Sequence, residues 1–400
     1  MRGQMHRVSD VTTFTRRDIG IGLVGDDLVR LRPAAWRPAL LGAALGLALP
    51  LAAQEKPEKP EKAPPPAAAP PAAAAPAPGD DKAAAAYRLA VARVKEQLGD
   101  RGERMPEIED AGSDLQLTIA LATSDEWRRV VATAAPALAQ WQLALAEPKC
   151  RFRATSSEPL MPEYLQDLFS ALQRCRVLAV ARGLQAVADG DADVAVGTVD
   201  GLLRHASHLR QEPGTIAWAV AAITEKQAAA LHEQIVRALP QAAAERSRAA
   251  IRRHLETRAG LAGAGAAARV EAFRLFDGAL EQMQRGDDAK AKIARELADD
   301  VRRHYTKIVD PYFAVLEKAG DDWTPALRDE LAALGKELLA RQDERMKVLK
   351  PLMRDAKAAP AGIEPASDLG LLLATLLVTD LGRLAADQHD ARERLRAVGR

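Results

Sequence analysis

The sequence predicts an all-α fold, and three observations predict it. Alanine and leucine dominate while aromatic residues make up only 4% of the chain, a balance that favours helix over sheet. Apolar residues recur at steps of three and four through the windows that follow residue 81, which lines them up on one helical face. No window sustains the period-two alternation of β-branched residues that a half-buried strand requires. The expected architecture is a set of antiparallel helical hairpins stacked into an elongated bundle, after a disordered Pro/Ala-rich linker.

Residues 159–239 organise the rest, as three helix-like runs joined by two punctuated turns. Pro162 suits a first helical turn, where a missing N–H costs nothing. Leu165, Leu168, Phe169, Leu172, Cys175, Leu178 and Ala179 then share a face, and Gly190 suits a C-terminal cap. A second run carries Ala195, Val199, Leu202, Ala206 and Leu209 up to Pro213. The third carries Ile216, Ala217, Val220, Gln227, Ala228, Leu231, Ile235 and Leu239 up to Pro240. Each buried aliphatic contributes roughly 1.5–3 kcal/mol, so such helices are stable only when packed together.

Flanking elements follow the same logic. Tyr87, Val91, Val94 and Leu98 give an amphipathic helix. Thr123 and Glu126 make a capping-box pattern ahead of Trp127, Val130, Val131, Leu138 and Trp141, a stripe that accommodates Pro136 only with a kink. Ile251 and Leu255 mark a short helix; Val270, Phe273, Phe276 and Leu280 mark another; Leu297, Val301, Tyr305 and Ile308 continue the series. Thr324 and Pro325 start a long helix. Ser367 caps a last helix through Leu369, Leu372 and Leu376, and a charged tail is expected from Asp387 to Arg400.

The expected division is 1–54 leader and signal peptide or N-terminal anchor, 55–80 linker, 81–258 helical domain, and 259–400 C-terminal helical bundle. Arg30, Arg32 and Arg37 precede an apolar run from Ala39 to Leu49, and small residues follow it. That is the layout of a secretory signal with cleavage near Ala53, and the run is short for a membrane span. Arg16 and Arg17 suggest a twin-arginine route, but Asp26 and Asp27 interrupt it; the long polar leader suggests a true start near Val29. The linker opens as Glu55-Lys56-Pro57-Glu58-Lys59-Pro60-Glu61-Lys62 and cannot bury a core. As polyproline II it reaches on the order of 75 Å. A net charge of +1, from 56 basic and 55 acidic residues, offers nothing to steer the chain to nucleic acid or an anionic membrane.

Several short stretches carry a resemblance. They are Cys150-Arg151-Phe152, Leu178 to Leu184, Gly190-Asp191, Leu202 to Leu209 with its His205 and His208, Glu212-Pro213, and Ile216 to Ile223. Together they resemble a family of uncharacterised exported all-helical bacterial proteins, numerous in planctomycete-type genomes, over roughly residues 85–395. Members often carry a further C-terminal segment that this chain, ending at Arg400, lacks. The resemblance implies an exported helical fold and brings no activity with it.

Residue type and spacing single out several candidate site residues. Cys150 and Cys175 are the two cysteines. In an oxidising compartment they either bridge, closing a loop worth roughly 3.5 kcal/mol, or remain buried thiols. Asp189, Asp191, Asp193 and Asp200 fall at calcium-loop spacing, but Val194 stands where that loop needs glycine. Helix capping explains the same acids. His205 and His208 have metal-ligand spacing with no third ligand nearby, and they project to the flank and far side of their apolar stripe. His232-Glu233 lacks the second histidine of a zinc protease. Gly260, Gly263 and Gly265 read as a flexible connection between helices. Arg246, Arg248, Arg252, Arg253 and Arg258 read as a solvated surface.

No catalytic motif, metal set or cofactor is called for. The function expected is a non-catalytic interaction or scaffold module of the periplasm or envelope, with protein partners there. Membrane contact is expected only through an uncleaved N-terminal segment. The alternative is a helical periplasmic enzyme whose site assembles from separated helices, with His208, Glu225, His232 or Glu163 as candidates.

Overall fold

A computed structural model describes residues 81–99, 104–105, 117–152, 163–212, 214–284, 289–320, 322–354, 366–368, 370–371, 374 and 381–400. The leader, signal, linker, Pro162, Pro213 and most of the Leu369–Leu376 helix expected from the sequence lie outside the described residues. Helices α1 (Asp81–Leu98), α2 (Ile119–Ala122), α3 (Asp125–Thr133), α4 (Ala135–Ala146), α5 (Glu163–Asp189) and α6 (Ala192–Arg210) come first. They are followed by α7 (Thr215–Ala238), α8 (Gln241–Thr257), α9 (Leu261–Gln284), α10 (Ala289–Ala319), α11 (Pro325–Arg354) and α12 (Leu381–Gly399). The fold is all-α, with no strand among the described residues.

Local chemistry sets the helix ends. Ser124 accepts from the Trp127 N–H at 3.3 Å and starts α3. Thr123 does not, because its hydroxyl turns back to the Ile119 carbonyl at 2.8 Å, so the capping role moves by one residue. Pro136 produces a break between α3 and α4 and sits in the first turn of α4, where its missing donor is harmless. Asp191 accepts from the Val194 N–H at 3.0 Å and caps α6. Gly190 takes a positive φ of 78° between α5 and α6, a conformation costly for any residue with a Cβ.

Two apolar cores result. The first gathers α1, α3, α4, α5, α6, α7 and α8 around Trp127, Tyr87, Leu172, Leu178 and Leu202. The second gathers α9, α10, α11 and the start of α12 around Phe276, Tyr305, Phe313 and Trp323. Two elements join them: Trp218 of α7 belongs to the second core, and α12 buries Leu384 in the second and Leu395 in the first. The expected charged tail is therefore a packed helix. Its apolar residues keep helical spacing among the charges, which is enough to dock one face.

α6 lies at the centre, packed by α4, α5, α7 and α8 and reached by Tyr87 of α1. Gly263 and Gly265 also differ from expectation. Both lie inside α9, and a Cβ at Gly265 would stand 2.8 Å from the Leu316 Cβ of α10. The glycines serve close helix approach, not flexibility.

Gly265→Ala should therefore destabilise by about 1–3 kcal/mol through overpacking, although alanine is the better helix former by about 1 kcal/mol. Gly278→Ala in the same helix, with nothing within 4 Å of the added methyl, should stabilise by about 0.5–1 kcal/mol. Urea denaturation of the two variants measures both signs.

Candidate functional site

Glu225 of α7 is fully buried at 0% exposure, and the side chains of Arg210, His254 and Arg258 around it are 2–5% exposed. Arg210, at the end of α6, grips it with both guanidinium nitrogens, at 2.6 Å to Oε1 and 2.9 Å to Oε2. His254 of α8 donates from Nε2 to Oε1 at 2.6 Å. Arg258, just past α8, donates from Nε at 3.0 and 3.1 Å and from Nη2 at 3.1 Å. Gln388 of α12 closes the cluster: its Oε1 accepts from Arg210 at 2.7 Å and its amide nitrogen donates to the Trp218 carbonyl at 2.7 Å. The Arg210 guanidinium also lies 5.5 Å from the centre of the Trp218 ring. One carboxylate thus ties together α6, α7, α8, the α8–α9 junction and α12, where the two cores meet.

Burial alone would push the Glu225 carboxyl up, but Arg210, then the His254 hydrogen bond, then Arg258, hold it well below the usual carboxylate range. Burial pushes the Arg210 guanidinium down to about 10, opposed by Glu225, which leaves it charged at neutral pH. Two guanidinium groups sharing one carboxylate retain a net positive charge inside the fold, and only the dense hydrogen bonding makes that tolerable.

A second polar assembly lies around α6. The Tyr87 hydroxyl stands 3.0 Å from Nδ1 of His208 and 3.0 Å from Nδ1 of His205. Nε2 of His208 lies 2.8 Å from the Glu147 carbonyl, so it carries a proton. In the neutral ring Nδ1 then accepts from Tyr87, and Tyr87 in turn accepts from Nδ1–H of His205. The relay leaves Nε2 of His205 as a buried lone pair without a partner. Burial, then Arg176 and His208, hold His205 well below its ordinary value. Burial lowers His208 too, with Arg204 adding to it and the Glu147 bond opposing. His232 of α7 bonds to Ser247 of α8 at 2.9 Å and is lowered first by burial and then by Arg248. Arg176 is 1% exposed, and burial pushes it down to about 10. Its donors reach Thr224 Oγ1 at 3.3 Å and the Val220 carbonyl at 3.4 Å.

The structure separates most of the residues singled out from the sequence. His208, Glu225 and His232 belong to three different sets of partners, and nothing is described of the Glu163 side chain. His205 and His208 are 0% and 2% exposed, neither flanking nor solvated, because a helix surrounded by others buries residues off its main stripe. Arg258 also departs from the expected surface role, its side chain being 2% exposed. Asp189 pairs with Arg128 at 2.6 Å, Asp193 with Arg246 at 2.8 Å and Asp200 with Arg204 at 2.8 Å, while Asp191 caps α6. Among the described residues no group of three or more such ligands could hold a metal ion. Cys150 and Cys175 are both buried thiols, and burial raises both, Cys175 to about 12. Arg210, His254 and Gln388 were missed from sequence. Each holds a core-facing position of its helix (Gln388 follows Leu381, Leu384 and Ala385), which is the signal that would have found it.

No protein-family model, curated protein or solved structure matches the chain.

Glu225→Gln should cost about 3–5 kcal/mol in chemical denaturation, because it leaves Arg210 and Arg258 buried without a counter-charge. Asp193→Asn, at an exposed pair, should leave stability essentially unchanged. The lowered histidines make a separate prediction. The unfolded chain takes up protons below about 6.5 while folded His205, His208 and His232 resist them, so stability should fall with pH from 7 to 5. The slope is at most about 1.4 kcal/mol per pH unit for each histidine. Glu225 acts in a lower window, its contribution being present above pH 4.5 and lost as pH falls through its lowered folded value. Melting temperature against pH measures both, and a flat profile between 5 and 7 would contradict the relay.

Proposed function

We propose that this chain is an exported, non-catalytic helical scaffold of the periplasm or cell envelope, carried on a Pro/Ala-rich spacer and acting through protein partners. The observation that carries the reading is where its reactive side chains go. Glu225, His254, Arg210 and Arg258 are committed to one another as an internal tie between two cores. His205, His208 and Tyr87 are committed likewise. Groups spent on joining helices hold surfaces in a fixed relation, which is what a scaffold requires. Exposed Leu89, Leu143, Val236, Val270 and Leu339 provide apolar contact points on different helices. The export reading rests on the Arg30–Ala53 pattern and on the family resemblance.

In-cell crosslinking and capture of the full chain, with mass spectrometry of its own N-terminus, tests the proposal. The expected outcome is a mature N-terminus near Gln54 and a recurrent envelope protein joined to the exposed helices. A cytosolic chain that retains residues 29–53 would contradict export. A chain with turnover on a small molecule, lost in Glu225→Gln but not in an equally destabilised surface variant, would contradict the non-catalytic reading.

A further inference from the structure

A surface groove of about 470 Å³ runs between α6 and α8. Asp193 and Asp200 of α6 form one rim, and Arg246 and Arg253 of α8 form the other. Val196, Gly197 and Ala249 contribute to the small, apolar floor. Space above Gly197 is open, since a Cβ there would meet nothing within 4 Å. Each rim places its two like charges seven residues apart, or about 10.5 Å along a helix.

The chain itself contains a sequence with the matching pattern. Glu55, Glu58 and Glu61 alternate with Lys56, Lys59 and Lys62 and with Pro57 and Pro60. Polyproline II has three residues per turn and rises about 3.1 Å per residue. In that conformation the glutamates form one row, the lysines a second and the prolines a third, each repeating every ~9.3 Å. Glutamates would meet the arginine rim, lysines the aspartate rim and prolines the floor, at spacings that differ by about one ångström.

We propose that the groove between α6 and α8 is a docking site for the Glu-Lys-Pro repeat at residues 55–62 of the same chain. The rims are held meanwhile by exposed pairs, Asp193–Arg246 at 2.8 Å and Arg253–Asp200 at 3.6 Å, with side chains 54–84% exposed save Asp200 at 31%. Exposed pairs of this kind contribute little, so exchanging them for the repeat's charges costs little. Residues 63–80, between the repeat and α1, span on the order of 55 Å when taken as polyproline II. Tethering raises the effective concentration of the repeat into the millimolar range, so a contact too weak to form between separate molecules suffices within one. The repeat follows Ala53, so cleavage there retains it.

Zero-length carbodiimide coupling of the full chain, which condenses a lysine amine with a carboxylate to form an amide, tests this directly. A mixture of unlabelled and ¹⁵N-labelled chains separates links within one molecule from links between two. The expected result is same-chain amides joining Lys56, Lys59 or Lys62 to Asp193 or Asp200. These should fall at least tenfold in Arg246→Glu/Arg253→Glu and in 0.5 M salt, while an unchanged melting curve shows that the variant folds. Links from the repeat spread over exposed carboxylates generally, links insensitive to the arginine reversal, or links found only between labelled and unlabelled chains would each overturn the proposal.

Discussion

A single carboxylate inside the protein sets the terms for much of the structure. Glu225 is fully buried, and a buried anion without partners is among the most costly things a fold can contain. Its partners come from α6, α8 and the segment after α8, and Gln388 of α12 holds both arginines in turn. Because they converge from positions far apart in sequence, the carboxylate acts as a registry point. Sliding or rotating any one of these helices strands a charge. Apolar contacts tolerate small shifts in packing, whereas a bidentate guanidinium–carboxylate pair does not.

The two cores meet at this point. Trp218 lies one turn past the start of α7, packs into the second core and takes the Arg210 guanidinium against its ring. Its backbone carbonyl accepts from Gln388. α12 supplies Leu384 to one core and Leu395 to the other, so the last helix of the chain spans the junction. Glu271 of α9 adds a further link, accepting from the Thr215 N–H at 2.7 Å and so serving the first turn of α7 from another helix. The junction combines apolar area, which supplies most of the stabilisation, with polar contacts that select a single arrangement. The relay on α6 works the same way at smaller scale: Tyr87 joins α1 to α6 only with both histidines in defined tautomers.

Much of the fold was legible because period and punctuation are local properties. The helices over 163–189, 192–210 and 215–238 follow from apolar spacing, Gly190 and the helix-breaking Glu212-Pro213-Gly214 sequence. Errors arose where a local pattern had two physical meanings. Glycines 263 and 265 read as a flexible link, though the missing side chains let α9 approach α10 and Trp218 closely. The charges after Asp387 read as a tail, though Gln388, Ala391 and Leu395 keep a buried face. Arg258 read as surface because its sequence neighbours are charged and no local rule shows that Glu225 lies opposite.

By itself the sequence determined the class, the turns and the faces of most helices, since these depend on interactions spanning three or four residues. It also offered Glu225 as a candidate, whereas Arg210, His254 and Gln388 hold core-facing positions that no local pattern singled out. Which partner each found was decided only by the tertiary structure. Residues 210 and 225 are close in the chain, but residue 388 reaches Arg210 across 178 positions. The spacing that makes a helix carries no information about which helix it will meet. That choice is made when charges, rings and small residues from distant segments must all be satisfied in one packing.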